Sequence, residues 1–181
     1  MSPRLALTAV LLAAVAAGTA SSGAQQPAPA AAPYPLDDVP EKMPFDIPYG
    51  APIPLERAMA AIAATVAEAK KHDWKLDVAV VDSGGNLVAF QRMDGAQLAS
   101  IQVAEHKARA SVTFRRETKV FEKAIQQAGN YYVMTLDGVI GSRGGIPLVE
   151  GGKLIGGIGC SGGTGSQDEV ACKAGVAAIS K

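Results

Sequence analysis

Two glycine-bearing turns, each set between apolar runs, constrain the fold of this chain more than any other feature. Leu76, Val78 and Val80 alternate with Asp77, Ala79 and Val81, and Asp82-Ser83-Gly84-Gly85 has turn chemistry. Asn86 to Met93 then resumes an apolar run, so residues 75–93 read as a β-hairpin. Further on, Gly145 to Val149 and Lys153 to Cys160 read as two strands joined by Glu150-Gly151-Gly152. They lie in a stretch, 137–165, that holds 12 of the 20 glycines. Hairpins, rather than the long crossovers that parallel strands need, imply an antiparallel sheet covered by helices.

Helical spacing fills the intervals. Pro54 suits a first helical position, and Leu55, Ala58, Met59, Ile62, Val66 and Ala69 follow at one face, with an end near His72-Asp73. A second helix is expected over about Ala96–Phe114. A third runs from about Glu117 to Ala128, where Val120, Phe121, Ala124 and Ile125 share a face and Gly129 is a stop. A last helix opens at Ser166, where Glu169 three residues on completes a capping box. The order is α-β-β-α-α-β-β-α, with another strand expected around Tyr131–Thr135. This is an α/β (α+β) single domain over 52–181, and no internal repeat is evident.

The chain ahead of that domain reads differently. Arg4, the apolar stretch Leu5–Ala17 and the small residues ending at Ala24 match a secretory signal peptide over residues 1–24, with Ala20 as a second cleavage point. Thirteen apolar residues fall short of the roughly 20 that span a bilayer, so no membrane span is expected after processing. The expected location is periplasmic or secreted. Residues 25–51 form a Pro-rich tether, nine of the 11 prolines lying between Pro27 and Pro54. Its later part intersperses Met43, Phe45, Ile47, Tyr49 and Ile53 with prolines. That part is either a plain linker or an arm packed on its own domain or on a neighbouring subunit.

Composition then excludes whole classes of function. Equal numbers of basic and acidic residues, 17 each, and 5% aromatics lack the basic footprint of a nucleic-acid binder. Two cysteines cannot make a four-Cys zinc site, and two histidines, His72 and His106, cannot make a three-His centre. No Ser-His-Asp order or paired-carboxylate spacing stands out.

The helix that holds His106 carries the candidate site. One face bears Leu98, Ile101, Ala108 and Val112 and is expected on the sheet. The other bears Ala99, Val103, His106, Ala110 and Thr113. A helix apolar on two sides must bury both, so the second side meets another subunit, a flat ligand, or both. His106 is then either a satisfied interface residue or an axial ligand for haem iron, which imidazole suits. Lys107 and Arg109 border this face as solvated charges, as carboxylate partners, or as partners of propionates. Met93 is read as a packing residue or as a further iron ligand, and His72 as solvated.

Gly157-Ile158-Gly159-Cys160-Ser161-Gly162 matches GxGxxG, but the chain ends too soon for a dinucleotide fold. The glycines serve either tight turning and close backbone packing, or a site in which the amides of Ser161 to Gly165, near a helix start, bind a carboxylate or other anion. Cys160 and Cys172 are read as a disulfide if the chain is exported, or else as a buried thiol pair.

Together these residues resemble the GlcG/HbpS-like haem-binding (haem-degrading) family. The matching stretches are Leu76 to Asp82 with Gly85, Phe90-Gln91-Arg92-Met93-Asp94-Gly95-Ala96, and Lys107-Ala108 with Phe114. Gly144-Gly145-Ile146-Pro147 and Gly156 to Gly163 with Gln167-Asp168-Glu169 complete them. The resemblance implies a profilin-like domain with a central antiparallel sheet, homo-oligomers (octamers among them), and haem or a related tetrapyrrole as partner and cofactor. It also implies links to haem degradation in some members. The family pattern Lys-Ala-x-Thr-Ala-x-x-Phe is broken here: its threonine, associated with haem coordination, aligns with Ala110. His106, one turn earlier, or Thr113 would take that role, or haem binding is lost.

The expected function is an exported, oligomeric haem-binding protein for storage, transfer or detoxification. His106 would be the iron ligand, Lys107 or Arg109 would lie near the propionates, and Val103 and Thr113 would line the site. The alternatives are a small-metabolite binding protein or enzyme using the turn 161–165, a purely structural assembly module, and a haem-degrading enzyme, for which the sequence shows no reductant site.

Overall fold

The computed structural model describes residues 39–180 of the chain. The expected leader, 1–24, and the first part of the tether lie outside those residues. Two hairpins, β1 (Asp77–Asp82) with β2 (Leu87–Arg92) and β3 (Gly145–Glu150) with β4 (Lys153–Ser161), join edge to edge through β1 and β4. The sheet order is β2-β1-β4-β3 and every pair is antiparallel. The first turn closes because the Asp82 carboxylate accepts from the amides of Gly84 (2.8 Å) and Asn86 (2.9 Å).

Strand alternation sorts the core into two layers. Val78, Val80, Ile146, Ile158 and Cys160 face the helices α1 (Leu55–Lys71) and α4 (Gly165–Ile179), which bury Ala58, Ile62, Val66, Ala171 and Cys172 against them. Ala79, Val81 and Leu154 face α2 (Ala99–Thr113) through Ala104, Ala108 and Val112. Each fully buried Val, Ile or Leu contributes about 1.5–3 kcal/mol, so these two clusters are the main source of stability.

Helix ends follow local chemistry. α1 stops where Asp73 takes φ 57° and the amide of Trp74 bonds back to the Ala69 carbonyl at 3.0 Å. α2 stops in the same way at Arg115, φ 54°, with Arg116 bonded to Ser111 at 3.1 Å. The cap of α4 lies two residues before the expected Ser166. Thr164 is its cap, the Gln167 side chain accepts from the Thr164 amide at 2.8 Å, and Gln167 rather than Glu169 closes the capping box. The shorter α3 spans Lys119–Gln126. Tyr131–Thr135, expected as a strand, is a 3-10 turn. No sheet edge lies beside it, and its amides bond locally, Val133 to Asn130 at 3.1 Å.

The later part of the tether packs on its own domain. β4 runs past the end of β1, and residues 48–53 pair with that exposed stretch. Gly50 donates to Leu154 O (2.7 Å), Leu154 to Pro48 O (2.8 Å) and Ile53 to Ile155 O (2.8 Å). Arg116 lies over the Phe45 ring at 3.2 Å. Among the described residues no helix is long and apolar enough to cross a membrane.

Candidate functional site on α2

α2 reaches the sheet over a floor of glycines. A Cβ on Gly157 would stand 2.6 Å from the Ala108 carbonyl oxygen, and one on Gly159 would stand 2.5 Å from the Ala108 amide nitrogen. Only glycine admits a helix backbone this close to a strand. The docked stripe is therefore small and polar: Ser100, Ala104, Lys107, Ala108, Ser111 and Val112 are buried. Leu98, expected on this face, lies ahead of the helix and is 71% exposed. The expected stripe is thus rotated, because the glycine floor selects short side chains rather than Leu98.

Lys107 lies within that stripe and not at its border. It is 1% exposed, and its Nζ donates to Asp168 Oδ2 at 2.8 Å and to the Cys160 carbonyl at 3.1 Å. Of the roles open to it in the sequence, the carboxylate partner is the one the structure places; a propionate has no access to it. Burial pushes the Asp168 carboxyl up, while Lys107 and the Gly163 amide, which donates to Asp168 Oδ1 at 3.0 Å, pull it down.

The opposite side of α2 carries His106 and Val103, both half-buried, with Ala110 buried and Ala99 exposed. His106 Nε2 lies 3.2 Å from the Gly138 carbonyl oxygen, in the loop that follows the 3-10 turn. A carbonyl only accepts, so this contact places a proton on Nε2 and, in the neutral ring, the lone pair on Nδ1. Arg109 is exposed, with Nε donating to Gly85 O at 3.3 Å. Thr113 is exposed, and its hydroxyl donates back to Arg109 O at 3.1 Å. His106, Val103 and Ala110 thus share one side, Arg109 and Thr113 stand at its solvent edge, and Lys107 is separated from all of them.

The other candidates also have definite places. Cys160 and Cys172 are bonded to one another and buried, tying β4 to α4. In the turn 161–165, the Gly163 amide is taken by Asp168 and the Thr164 amide by Gln167, so two donors expected to face an anion are satisfied within the chain. Met93 lies in the core, and exposed His72 stacks on Trp74 at 4.3 Å. Among the described residues no cluster of three or more His, Cys, Asp or Glu side chains is arranged to hold a metal ion.

Sequence reasoning missed a charged network beside α4. Glu169 accepts from Lys119 (2.8 Å), Lys173 (2.5 Å) and Arg143 (3.3 Å), and Arg143 also pairs with Glu122. Burial opposes ionisation of Glu169, but the Lys119 and Lys173 ammonium groups outweigh it and hold its carboxyl down at about 2. The signal for Lys107 was available in the sequence. It falls between Ala104 and Ser111 on the small-residue stripe, where a cation must find an acid. Which acid it finds is decided 61 residues away.

The family described as Haem degrading protein HbpS-like matches residues 53–177. Protein GlcG of Escherichia coli (strain K12) is 38% identical over 106 residues, which is 59% of this chain and 78% of GlcG. Among solved structures, HbpS is 33% identical and covers 73% of this chain and 93% of its own, with a TM-score of 0.66. A PduOC:haem complex is 27% identical and covers 71% and 96%, with a TM-score of 0.65. The family match takes in both hairpins, α2 with its glycine floor and nearly all of α4, and on this ground the chain belongs to the HbpS-like family of haem degrading proteins.

Proposed function

We propose that this protein is exported to the periplasm or the exterior and there binds haem, or a related tetrapyrrole, as a homo-oligomer, for storage, transfer or detoxification. The observation that carries the reading is the likeness, over 71% of this chain, to PduOC in complex with haem. The residues on the open side of α2 suit such a group. The imidazole of His106 is an axial donor, the half-buried Val103 offers apolar surface beside it, and the exposed Arg109 guanidinium can pair with a propionate. When bound, haem supplies an iron centre whose ligation the protein controls. Binding through His106 Nε2 requires that nitrogen to leave the Gly138 carbonyl. Thr113, turned onto its own helix, is the weaker donor.

Export is supported by the leader pattern and by the Cys160–Cys172 bond, since disulfides persist in oxidising compartments. Assembly is supported by Tyr131, Tyr132, Met134 and Leu136, a run of exposed apolar side chains along the 3-10 turn that adjoins the Gly138 loop. A haemin titration tests the reading. The expected result is a Soret shift that saturates at a fixed ratio and is lost in His106→Ala. A wild-type spectrum in that variant removes His106 from the site, and no saturable shift in the wild type removes haem.

A second reading, haem degradation, is favoured by the description of the family itself. It needs an open iron position and an external reductant. Turnover of haemin with ascorbate, faster in the wild type than in His106→Ala, would establish it.

A further inference from the structure

The Gln91-Arg92-Met93-Asp94 segment has no part in the α2 site. It lines a cleft on the α1 side of the sheet, between the last turns of α1 and the end of β2, with a cavity volume of about 400 Å3. Val66 and Met93, both buried core residues, form its apolar floor. Lys70 on α1 and Lys75 beyond it supply cations from one wall, and Arg92 on β2 supplies a cation from the other. Gln91 adds an amide, and Asp94 is the one carboxylate among the lining residues.

Among the described residues, Lys70 and Arg92 have no carboxylate within ion-pair distance, while Lys75 pairs with the exposed Asp73. Asp77, opposite Arg92 in the strand register, attracts it without a hydrogen bond, and Arg92 uses one guanidinium nitrogen on the Ala96 carbonyl at 3.2 Å. The remaining donors of the planar fork stay available.

We propose that this cleft binds a small dicarboxylate. Its two charged ends would engage Lys70 with Lys75 on one wall and Arg92 on the other, and its short hydrocarbon spacer would cross Val66 and Met93. A monocarboxylate satisfies only one wall, and a neutral diamide satisfies neither charge. The inference is independent of haem binding, because the cleft and His106 lie on opposite layers of the sheet.

The test uses glutarate as probe, in equilibrium dialysis at constant ionic strength, with Trp74 fluorescence read in parallel. Trp74 is the sole tryptophan and adjoins Lys75. The expected result is saturable glutarate binding, with butyrate and glutaramide each at least about tenfold weaker, the scale of one charge-assisted contact. Lys70→Gln, at an exposed position that leaves the fold intact, is expected to weaken glutarate about tenfold and leave haemin binding unchanged. Arg92→Lys, which keeps the charge and loses the fork, is expected to weaken it as well. Non-saturable binding, equal binding of butyrate, or unaltered affinity in Lys70→Gln overturns the proposal.

Discussion

Lys107 and Asp168 sit where neither ion could be buried alone. Asp168 is 2% exposed, and two donors converge on it, the Lys107 ammonium and the Gly163 amide, while the Cys160 carbonyl accepts from the ammonium on its other side. Removing one partner of a buried pair leaves an uncompensated charge, a loss of about 3–5 kcal/mol. Lys107→Met is therefore expected to lower unfolding stability by about that much at neutral pH, measured by denaturant titration. Lys107→Met combined with Asp168→Asn is expected to recover most of the loss, because Asn still accepts from Gly163 and carries no charge. The sign with pH follows from burial. Asp168 titrates above its ordinary range in the folded state, so its contribution favours folding at low pH and is lost as pH rises. Without Lys107 the carboxyl rises further, and the deficit of Lys107→Met should shrink as pH falls. A deficit that is flat with pH would mean that lost packing, not the buried charge, sets the cost. At this scale the sequence marked Lys107 as chemically notable but not which way it points. Helical spacing gives an azimuth only relative to the other residues, and the sheet decides which azimuth is inside.

The element that organises the site is the contact between α2 and β4. Ala104 and Ala108 meet Gly157 and Gly159 at backbone distance, and Gly145 on β3 meets the Lys107 backbone in the same way. Gly159→Ala places a methyl group against the Ala104 carbonyl and 2.5 Å from the Ala108 amide, so α2 must lift off the sheet. The expected effect is a loss of about 3 kcal/mol or more, with the Lys107–Asp168 pair disturbed and haemin affinity reduced through His106. Gly151→Ala is the control. Its Cβ meets nothing within 4 Å, so any loss there reflects only its positive φ, 54°. Thermal unfolding of the two variants side by side separates the mechanisms. The glycines also explain why a GxGxxG run here is not a phosphate cradle. Two of its glycines serve a helix from below, and Gly162 takes φ 141° to leave the strand.

At the scale of the whole molecule, the disulfide and the tether hold the sheet's second hairpin from two sides. Cys160–Cys172 closes a 12-residue separation between β4 and α4, and a loop of that size contributes about 3 kcal/mol when closed. Cys160→Ala with Cys172→Ala is expected to lose about that much stability in denaturant, and the wild type in a thiol reductant should approach the variant. Equal stability of oxidised and reduced wild type would show that the bond adds nothing. Much of this architecture was legible in the chain. Period-two and period-3.6 patterns arise within a few residues, so both hairpins, the four helices and the antiparallel sheet follow from local sequence. Where two local readings competed, the chain could not arbitrate. Thr164 and Ser166 both offer a cap, and Tyr131–Thr135 has strand-like residues without a strand to pair with. The burial of Lys107 against Asp168, the charged network at Glu169 and the Gly138 contact of His106 join residues 61, 50 and 32 positions apart. Only tertiary packing decides such pairings, because a side chain finds its partner through the space the sheet and helices enclose, and no local pattern records that distance.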